Sequence, residues 1–183
     1  MGKAKLTQVL KPVDLKLDFG CGKTKREGFV GVDCRKFDGV DQVMDLRKDW
    51  PWEDGSVTEA HCSHFVEHLT AGERIHFVNE LYRVLMSSGK CTLITPHWAS
   101  CRAYGDLTHQ WPPVSEFWFY YLSKDWRAQN APHNDDYRCD FEAVWGYTIR
   151  PELTIRNQEY QQYALANYKE AIMDISATLT KRP

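Results

Sequence analysis

The chain has 183 residues, of which 43% are hydrophobic. A chain of this length buries about 70% of its unfolded surface in one core and is short for two, so we expect a single domain over residues 1–183. Its 23 basic and 25 acidic residues leave a net charge of -2, which offers no general attraction for nucleic acid or an anionic membrane surface. These values favour a small molecule or a protein as the partner.

The cysteines and the first residues bear on the cellular compartment. The six cysteines are scattered and form no CxxC pair, which favours reduced thiols over a zinc ribbon or a redox site. The N-terminal stretch MGKAKLTQVLKP lacks the apolar core of a signal peptide, and Leu6 stands where a myristoylation site needs serine or threonine. No apolar run reaches the length of a membrane span. We therefore expect a cytoplasmic protein without a membrane partner, and the sequence carries no sign of its oligomeric state.

The first elements predict an α/β layer structure with a largely parallel sheet. Leu15–Phe19 is the first strand, residues 20–28 form a loop or a loop with one short helical turn, and Phe29–Asp33 is the second strand. A crossover between parallel strands normally takes a dozen or more residues. The first crossover is therefore shortened, and its usual helix is reduced to a turn at most.

The remaining pattern continues the alternation of strands and helices. Three further strands are predicted over Val40–Leu46, Val57–Ser63 and Lys90–Thr95. A helix over Ala71–Ser87 follows the capping box of Thr70 and Glu73, with Gly89 expected as its C-terminal cap. The predicted elements after an aromatic-rich insertion at about residues 97–126 are a strand over Tyr137–Ile149, a helix over Asn157–Lys169 and a last strand over Ala171–Thr180.

The insertion itself is expected to build the wall of a pocket. It contains a predicted short helix at Ser115–Leu122, in which Phe117, Tyr120 and Tyr121 recur at helical spacing and are expected in the core. Trp98 and Trp111 are flanked by polar and turn residues and are the better candidates for lining a pocket.

The stretch LKLDFGCG, followed by VGVD, indicates a nucleotide site. Gly20 and Gly22 let the backbone approach a ligand closely, and Asp33 ends the second strand, where it can accept hydrogen bonds from ribose hydroxyls. The loop lacks the third glycine of GxGxxG, and its acid lies closer than the roughly 20-residue spacing of the dinucleotide fingerprint. No GxxxxGK[ST] phosphate loop is present. These features disfavour NAD, FAD and ATP.

Six segments in order resemble the class I S-adenosylmethionine-dependent methyltransferases, in particular the short type 11-like members. They are LDFGCG, VGVD, MDLRKDWPWEDGSV, AHCSHFVEHL, ERIHFVNELYRVL and KCTLITP, within Leu15–Leu122. The resemblance implies a Rossmann-like methyltransferase fold, a largely parallel sheet with an antiparallel last strand, and S-adenosylmethionine as the cofactor, which becomes S-adenosylhomocysteine. The chain departs from the family in its missing first helix and in MSSG, where members more often have Pro-Gly-Gly.

The resemblance also implies a set of cofactor contacts. Those near the methionine moiety are Asp18, Gly20, Cys21 and Gly22, with Ser63 and His64 on the sulfonium side. Asp33 would bind the ribose diol, Asp45 the adenine amine and the Leu46 amide a ring nitrogen. Plainer interpretations stay open for some of them: turn glycines, a strand-end acid at Asp33 and a loop cap at Asp45.

One segment also matches the HxxEH pattern of inverted zinc peptidases, from His64 to His68. That pattern must lie within one helix, whereas here a strand ends at Ser63 and a new helix is capped at Thr70. We therefore expect no metal, with His68 packed over the turn and Glu67 facing solvent.

The best candidates for chemistry lie in the insertion. His109 is the candidate general base, with Asp106 as its partner and His97 in reserve, because a histidine oriented by an acid can take the acceptor's proton. A histidine that only satisfies a loop carbonyl is an equally open alternative. Absence of a [DN]PP[YFW] or Pro-Cys motif argues against a DNA base. We expect methyl transfer to oxygen or nitrogen of a small molecule or saccharide, or else a non-catalytic module that binds the cofactor.

Overall fold

A computed structural model describes residues 14–183. The N-terminal stretch considered above for a leader and for myristoylation near Leu6 lies outside these residues. The strands are β1 (Leu15–Phe19), β2 (Val30–Asp33), β3 (Gln42–Val43), β4 (Val57–Ser63), β5 (Leu85–Pro96), β6 (Phe141–Ile149) and β7 (Ile172–Lys181). The helices are α1 (Ala71–Val84), α2 (Arg102–Gly105), α3 (Glu116–Tyr120), α4 (Lys124–Asn130), α5 (Pro151–Thr154) and α6 (Gln158–Asn167).

The seven strands form one sheet in the order β3-β2-β1-β4-β5-β7-β6. The pairs from β3 through β5 are all parallel, and β7 runs antiparallel to both β5 and β6. The predicted α/β fold, with a largely parallel sheet and an antiparallel last strand, is confirmed. The strand order reverses between β1 and β4. In open α/β sheets, ligands bind at the carboxyl ends of the strands next to such a reversal.

The shortened first crossover is confirmed as well. Residues 20–29, all described, contain only turns between β1 and β2. Gly20 and Gly22 have φ angles of 66° and 55°, which residues with a Cβ rarely adopt. A Cβ on Gly20 would also lie 2.6 Å from the Phe65 ring, so this glycine permits a close approach of two segments.

Helix α1 begins as predicted and ends earlier. Thr70 and Glu73 form the complete capping box. The helix stops at Val84, and Leu85 is already extended, with φ -64° and ψ 136°. The expected C-cap at Gly89 is wrong, because Gly89 lies inside β5, and the Lys181 ammonium instead satisfies the Leu85 carbonyl at 2.7 Å.

Several boundaries differ from the sequence expectation. β3 has only two residues, both exposed, where Val40–Leu46 was expected. β6 starts at Phe141 rather than Tyr137, and β5 is longer at both ends than Lys90–Thr95. In the insertion, the predicted helix is reduced to Glu116–Tyr120.

The prediction that Phe117 and Tyr120 lie in the core of the insertion is wrong. Phe117 is 65% exposed and Tyr120 is 40% exposed, whereas Phe119 is buried. Trp111, a pocket candidate, is 77% exposed. The residues at helical spacing lie on the outer face of this short helix. The inner face carries Phe119, which β6 covers because the Trp145 ring stacks on it.

The core lies between the sheet and α1. Leu17 and Phe19 of β1 are fully buried and pack with Phe77 and Leu81 of the helix in one apolar cluster. Within residues 14–183, no helix combines the length and the apolar composition that a bilayer crossing requires.

Candidate functional site

A cavity of about 700 Å³ lies at the carboxyl ends of β1, β2 and β4. We call it the strand-end cavity. Six of the residues predicted from the sequence line it: Gly20, Asp33, Asp45, Leu46, His64 and Asp106. A volume of this size is within the range of about 300–1,000 Å³ that small-molecule sites occupy. The fold thus brings together residues that are up to 86 positions apart, from Gly20 to Asp106.

Asp33 stands at the end of β2, and both of its carboxylate oxygens are engaged by backbone amides. Gly22 N–H donates to Oδ2 at 3.0 Å, and Arg35 N–H donates to Oδ1 at 2.9 Å. A carboxylate accepts about four hydrogen bonds, so each oxygen keeps an acceptor position. Asp33 therefore fixes the glycine loop and can still accept hydrogen bonds from a diol.

The first two amides of the glycine loop are satisfied by a carbonyl of β2. The amides of Gly20 and Cys21 both donate to the Val32 carbonyl, at 2.8 and 3.2 Å. A pyrophosphate site in a dinucleotide fold uses free amides at a helix N-terminus that follows the loop. Residues 20–29 contain no helix, so this loop does not form that site.

The other predicted contacts of the methionine moiety do not line the cavity. Asp18 is buried, and its carboxylate accepts from Arg26 N–H at 2.7 Å and pairs with His61 Nδ1 at 2.8 Å. Cys21 is also buried, and burial together with Asp18 raises the pKa of its thiol to about 11. Ser63 pairs with Ile94 at the end of β4. Asp18 and Cys21 are therefore buried beneath the glycine loop's segment of the chain and do not face the cavity.

Asp45 and Leu46 also line the strand-end cavity. Arg47 holds the Asp45 carboxylate with two side-chain hydrogen bonds, at 2.8 and 3.0 Å, which lowers the pKa of Asp45. The Arg47 backbone amide also donates to Asp45 Oδ1, which is the hydrogen bond expected if Asp45 caps the loop. The Leu46 amide has no acceptor within residues 14–183 and so remains available to a ligand.

Sequence patterns missed the apolar side chains of this cavity. Phe37, Met44, Phe65 and Leu69 line it and offer faces against which a flat ring can pack. Met44 is the first residue of the segment MDLRKDWPWEDGSV, but no periodicity marks Phe37 or Phe65. Their role follows only from the way the loops fold over the strand ends.

His64 follows β4 directly and has a φ angle of 53°. Its Nδ1 shares a hydrogen bond of 3.3 Å with Glu67 Oε1, and this bond raises the pKa of His64. Glu67 is only 5% exposed, and Thr95 Oγ1 donates to its other oxygen at 3.0 Å. The expectation that Glu67 faces solvent is therefore wrong: the 3-10 turn Val66–His68 directs it inward.

The Asp106 carboxylate is linked through Thr108 to His68, whereas His109 was the expected partner. Its Oδ1 accepts from Thr108 N–H at 2.8 Å and from Thr108 Oγ1 at 2.7 Å, which lowers the pKa of Asp106. Thr108 Oγ1 in turn lies 2.9 Å from His68 Nδ1. The side chain of His109 instead bonds the Ala103 carbonyl through Nδ1 at 3.3 Å, and its ring packs edge-on against His68 with centroids 4.7 Å apart.

His97 lines a second cavity, of about 450 Å³, which we call the His97 cavity. It is 2% exposed, its Nδ1 accepts from Ala99 N–H, and its Nε2 lies 3.0 Å from Glu116 Oε1. Because Nδ1 is an acceptor, Nε2 carries the proton and donates it to Glu116. Tyr147 also donates to this carboxylate at 2.8 Å, and burial together with that bond raises the pKa of Tyr147 to about 12.

Comparison with known proteins gives matches in structure only. No family model matches the chain, and no curated protein matches it in sequence. A SAM-dependent methyltransferase from Archaeoglobus fulgidus has a TM-score of 0.67 at 19% identity, over 92% of this chain and 86% of that chain. A SAM-dependent methyltransferase from Methanosarcina mazei has a TM-score of 0.58 at 14% identity, over 94% of each chain.

A third similar structure is geranyl diphosphate C-methyltransferase from Streptomyces coelicolor A3(2), in complex with Mg²⁺, geranyl diphosphate and S-adenosyl-L-homocysteine. Its TM-score is 0.55 at 15% identity, over 93% of this chain and 73% of that chain. The chain has the SAM-dependent methyltransferase fold. The resemblance in the sequence motifs is thereby confirmed at the level of fold, and the strand-end cavity lies at the ligand-binding edge of this methyltransferase fold.

Proposed function

We propose that the chain is a methyltransferase that uses S-adenosylmethionine to methylate an oxygen or nitrogen of a small molecule or saccharide. The observation that carries this proposal is Asp33, which ends β2 at the strand-end cavity and keeps acceptor positions beside a loop that forms no phosphate site. A ligand that carries a ribose and no phosphate fits this arrangement. The Streptomyces enzyme of the same fold acts on a small molecule, which supports the proposed substrate class.

The residues of the cavity fit the three parts of this cofactor. Asp33 would accept from the ribose hydroxyls, and the Leu46 amide would donate to the adenine ring, which Phe37 and Met44 would sandwich. Asp45 keeps one acceptor position beside its pair with Arg47 for the adenine amine. Gly20 borders the cavity without a side chain, and Asp18, Cys21 and Gly22 would act by holding its loop.

The cofactor supplies an activated methyl group, so the protein has to orient the acceptor and assist the loss of its proton. We propose that this activation takes place at His109 and the adjacent His64 and His68. His64 and His68 line the cavity, and His109 packs against His68. Because Nδ1 of His109 faces a carbonyl oxygen, its Nε2 has the lone pair. We leave His97 out of this proposal, because its Nε2 donates to Glu116 and its Nδ1 already accepts from Ala99 N–H.

The test of cofactor binding uses two exposed cysteines. Cys34 lines the strand-end cavity, whereas Cys101 lies in the insertion, and both are free and exposed. We expect S-adenosylhomocysteine to slow the alkylation of Cys34, measured by mass spectrometry, and to leave that of Cys101 unchanged. It should also raise the melting temperature, because a ligand that binds only the folded state stabilises it. No protection and no thermal shift at millimolar ligand would overturn the cofactor assignment.

A module that binds the cofactor without chemistry is the competing function. It predicts the same protection of Cys34 but no turnover with any acceptor. Incubation with a labelled methyl donor and pools of small hydroxyl and amine compounds distinguishes the two. Label transfer that requires the folded protein and is inhibited by S-adenosylhomocysteine supports the enzyme.

A further inference from the structure

The HxxEH segment and the insertion meet in a way that the sequence alone does not indicate. Glu67, His68 and His109 each offer one ligand atom, and these three atoms all lie within 4.8 Å of one another. Glu67 is buried, His109 is half-buried and His68 is exposed at the strand-end cavity. We propose that these three residues bind a divalent transition-metal cation at the edge of that cavity.

The hydrogen bonds around the two histidines leave a lone pair on each ring. Thr108 Oγ1 gives its proton to the Asp106 carboxylate, which only accepts, so Thr108 must accept from His68 Nδ1. The Ala103 carbonyl likewise accepts from His109 Nδ1. In the neutral form of each ring, Nε2 is therefore the atom with the free lone pair. Metal-binding histidines commonly have their other nitrogen held in this way by a carbonyl or a carboxylate.

The two segments that carry the cluster are held together by a buried arginine. The Arg74 guanidinium donates to the carbonyls of Val66 at 2.9 Å and Gln110 at 3.0 Å. The Gln110 amide also donates to the Glu67 carbonyl at 2.8 Å. Arg74 thus bonds backbone carbonyls and leaves the Glu67 carboxylate to other partners. The relative position of the turn and the insertion is fixed before any ligand binds.

The ligand set indicates the kind of cation. Two imidazoles and one carboxylate suit Zn²⁺, Co²⁺, Fe²⁺ or Ni²⁺ better than Mg²⁺ or Ca²⁺, which prefer oxygen alone. Bonds of about 2.0–2.2 Å place ligand atoms about 3–3.5 Å apart. The three ligand atoms, which lie within 4.8 Å of one another, close to this separation when the cation binds. Three protein ligands leave at least one coordination position open.

The use of this cation rests on the proposed function. An acceptor oxygen in the open position would lie beside the strand-end cavity, and the cation would lower the pKa of its hydroxyl, as metals do for bound water. The proton would pass to solvent. In that case His109 is a ligand of the cation, and the acceptor is a hydroxyl compound rather than an amine.

The experiment is a titration of the untagged full-length chain with Co²⁺ and with Zn²⁺, after treatment with EDTA and buffer exchange. Cys34→Ser and Cys101→Ser are included to remove the exposed thiols. We expect one saturable site by calorimetry and visible absorption of bound Co²⁺ without a thiolate band. His68→Ala and His109→Ala should each weaken binding about 100-fold or more, and Thr108→Val about 10-fold, because it no longer orients His68. His133→Ala, an exposed histidine outside the cluster, is the matched control.

The outcomes separate this inference from the proposed function. Binding of S-adenosylhomocysteine without a saturable cation site overturns the cation site alone. Cation binding without S-adenosylhomocysteine binding overturns the proposed function alone. Cation binding that His68→Ala and His109→Ala leave unchanged also contradicts the inference, provided that circular dichroism shows both variants folded.

Discussion

The strand-end cavity and the His97 cavity are both lined by histidine and carboxylate side chains. In the His97 cavity these groups are hydrogen-bonded to one another, whereas in the strand-end cavity they keep positions for a ligand. In the His97 cavity, the proton of His97 and that of Tyr147 are both donated to Glu116, and Ala99 N–H occupies the other nitrogen of His97. In the strand-end cavity, Asp33 retains acceptor positions and the neighbouring histidines retain lone pairs. Residue type therefore does not distinguish a reactive histidine from a structural one; the partner of each ring nitrogen does.

The largest effect is expected at Asp33. Asp33→Ala removes the two hydrogen bonds proposed with the ribose and frees the Gly22 amide, so S-adenosylhomocysteine affinity should fall about 100- to 10,000-fold, since hydrogen bonds to charged groups contribute about 1.5–3 kcal/mol each. Calorimetry measures this loss. Asp38→Ala, an exposed acid outside the cavity lining, should bind as the unaltered chain does. Equal affinity in the two variants would contradict the assignment of Asp33.

The next effect separates binding from turnover. His109→Ala should leave S-adenosylhomocysteine affinity within about twofold, because His109 is not part of the cavity lining, and should lower kcat about 100-fold or more, since a positioned acid–base group or metal ligand typically contributes that much. Steady-state kinetics with the acceptor found in the labelling experiment checks this expectation. Unchanged kcat would remove His109 from the activation step.

His97 is expected to affect stability instead. His97→Ala leaves a cavity and removes one donor from the partly buried Glu116, so the free energy of unfolding should fall by about 1–3 kcal/mol in urea titrations. Cofactor affinity should not change. Loss of turnover at unchanged stability would contradict the distinction between the two cavities.

Much of this fold was predictable because local patterns and long-range packing agree in the first part of the chain. β1 and β4 match their predicted bounds, and the capping box of α1 is formed as expected. The two-residue β3 was not predictable, because Asp41 replaces further strand pairing: its carboxylate accepts from Gly31 N–H and its amide donates to the Gly31 carbonyl. Helical spacing also failed in the insertion, where Phe117 is exposed and Phe119 is buried, because β6, the strand that covers Phe119, is distant in sequence.

The candidate site was predictable to the extent that its residues follow strand ends. Asp33, Leu46 and His64 are of this kind, and the structure places them at one cavity. The partner of Asp106 was not predictable, because the choice between His68 and His109 depends on how the insertion folds back onto the turn after β4. Such a contact joins segments 40 residues apart and leaves no spacing pattern in the sequence.

The smallest expected effect concerns two glutamate–arginine pairs, each of which holds a segment next in sequence to lining residues of one cavity. Arg83 donates to both oxygens of Glu80, at 2.8 and 2.7 Å, and to the carbonyls of Trp50 and Trp52, so this pair holds the loop that follows Leu46. The pair of Arg150 with Glu170, at 2.9 Å, similarly ties the segment before β7 to the end of β6, but it is more exposed.

The hydrogen bond from Arg83 lowers the pKa of Glu80 below its ordinary value of 4.5. A carboxylate whose pKa is lower in the folded state stabilises the fold above the unfolded pKa, and this contribution is lost as the pH falls through the folded pKa. Glu80→Gln should therefore cost about 1 kcal/mol at pH 7 and less as the pH falls through the lowered pKa of Glu80, so its melting temperature falls less steeply with acid than that of the unaltered chain. Glu170→Gln should show a smaller change in slope, since solvent screens the exposed pair. If the two substitutions change the slope equally, the greater burial of the Glu80 pair has no effect on its strength.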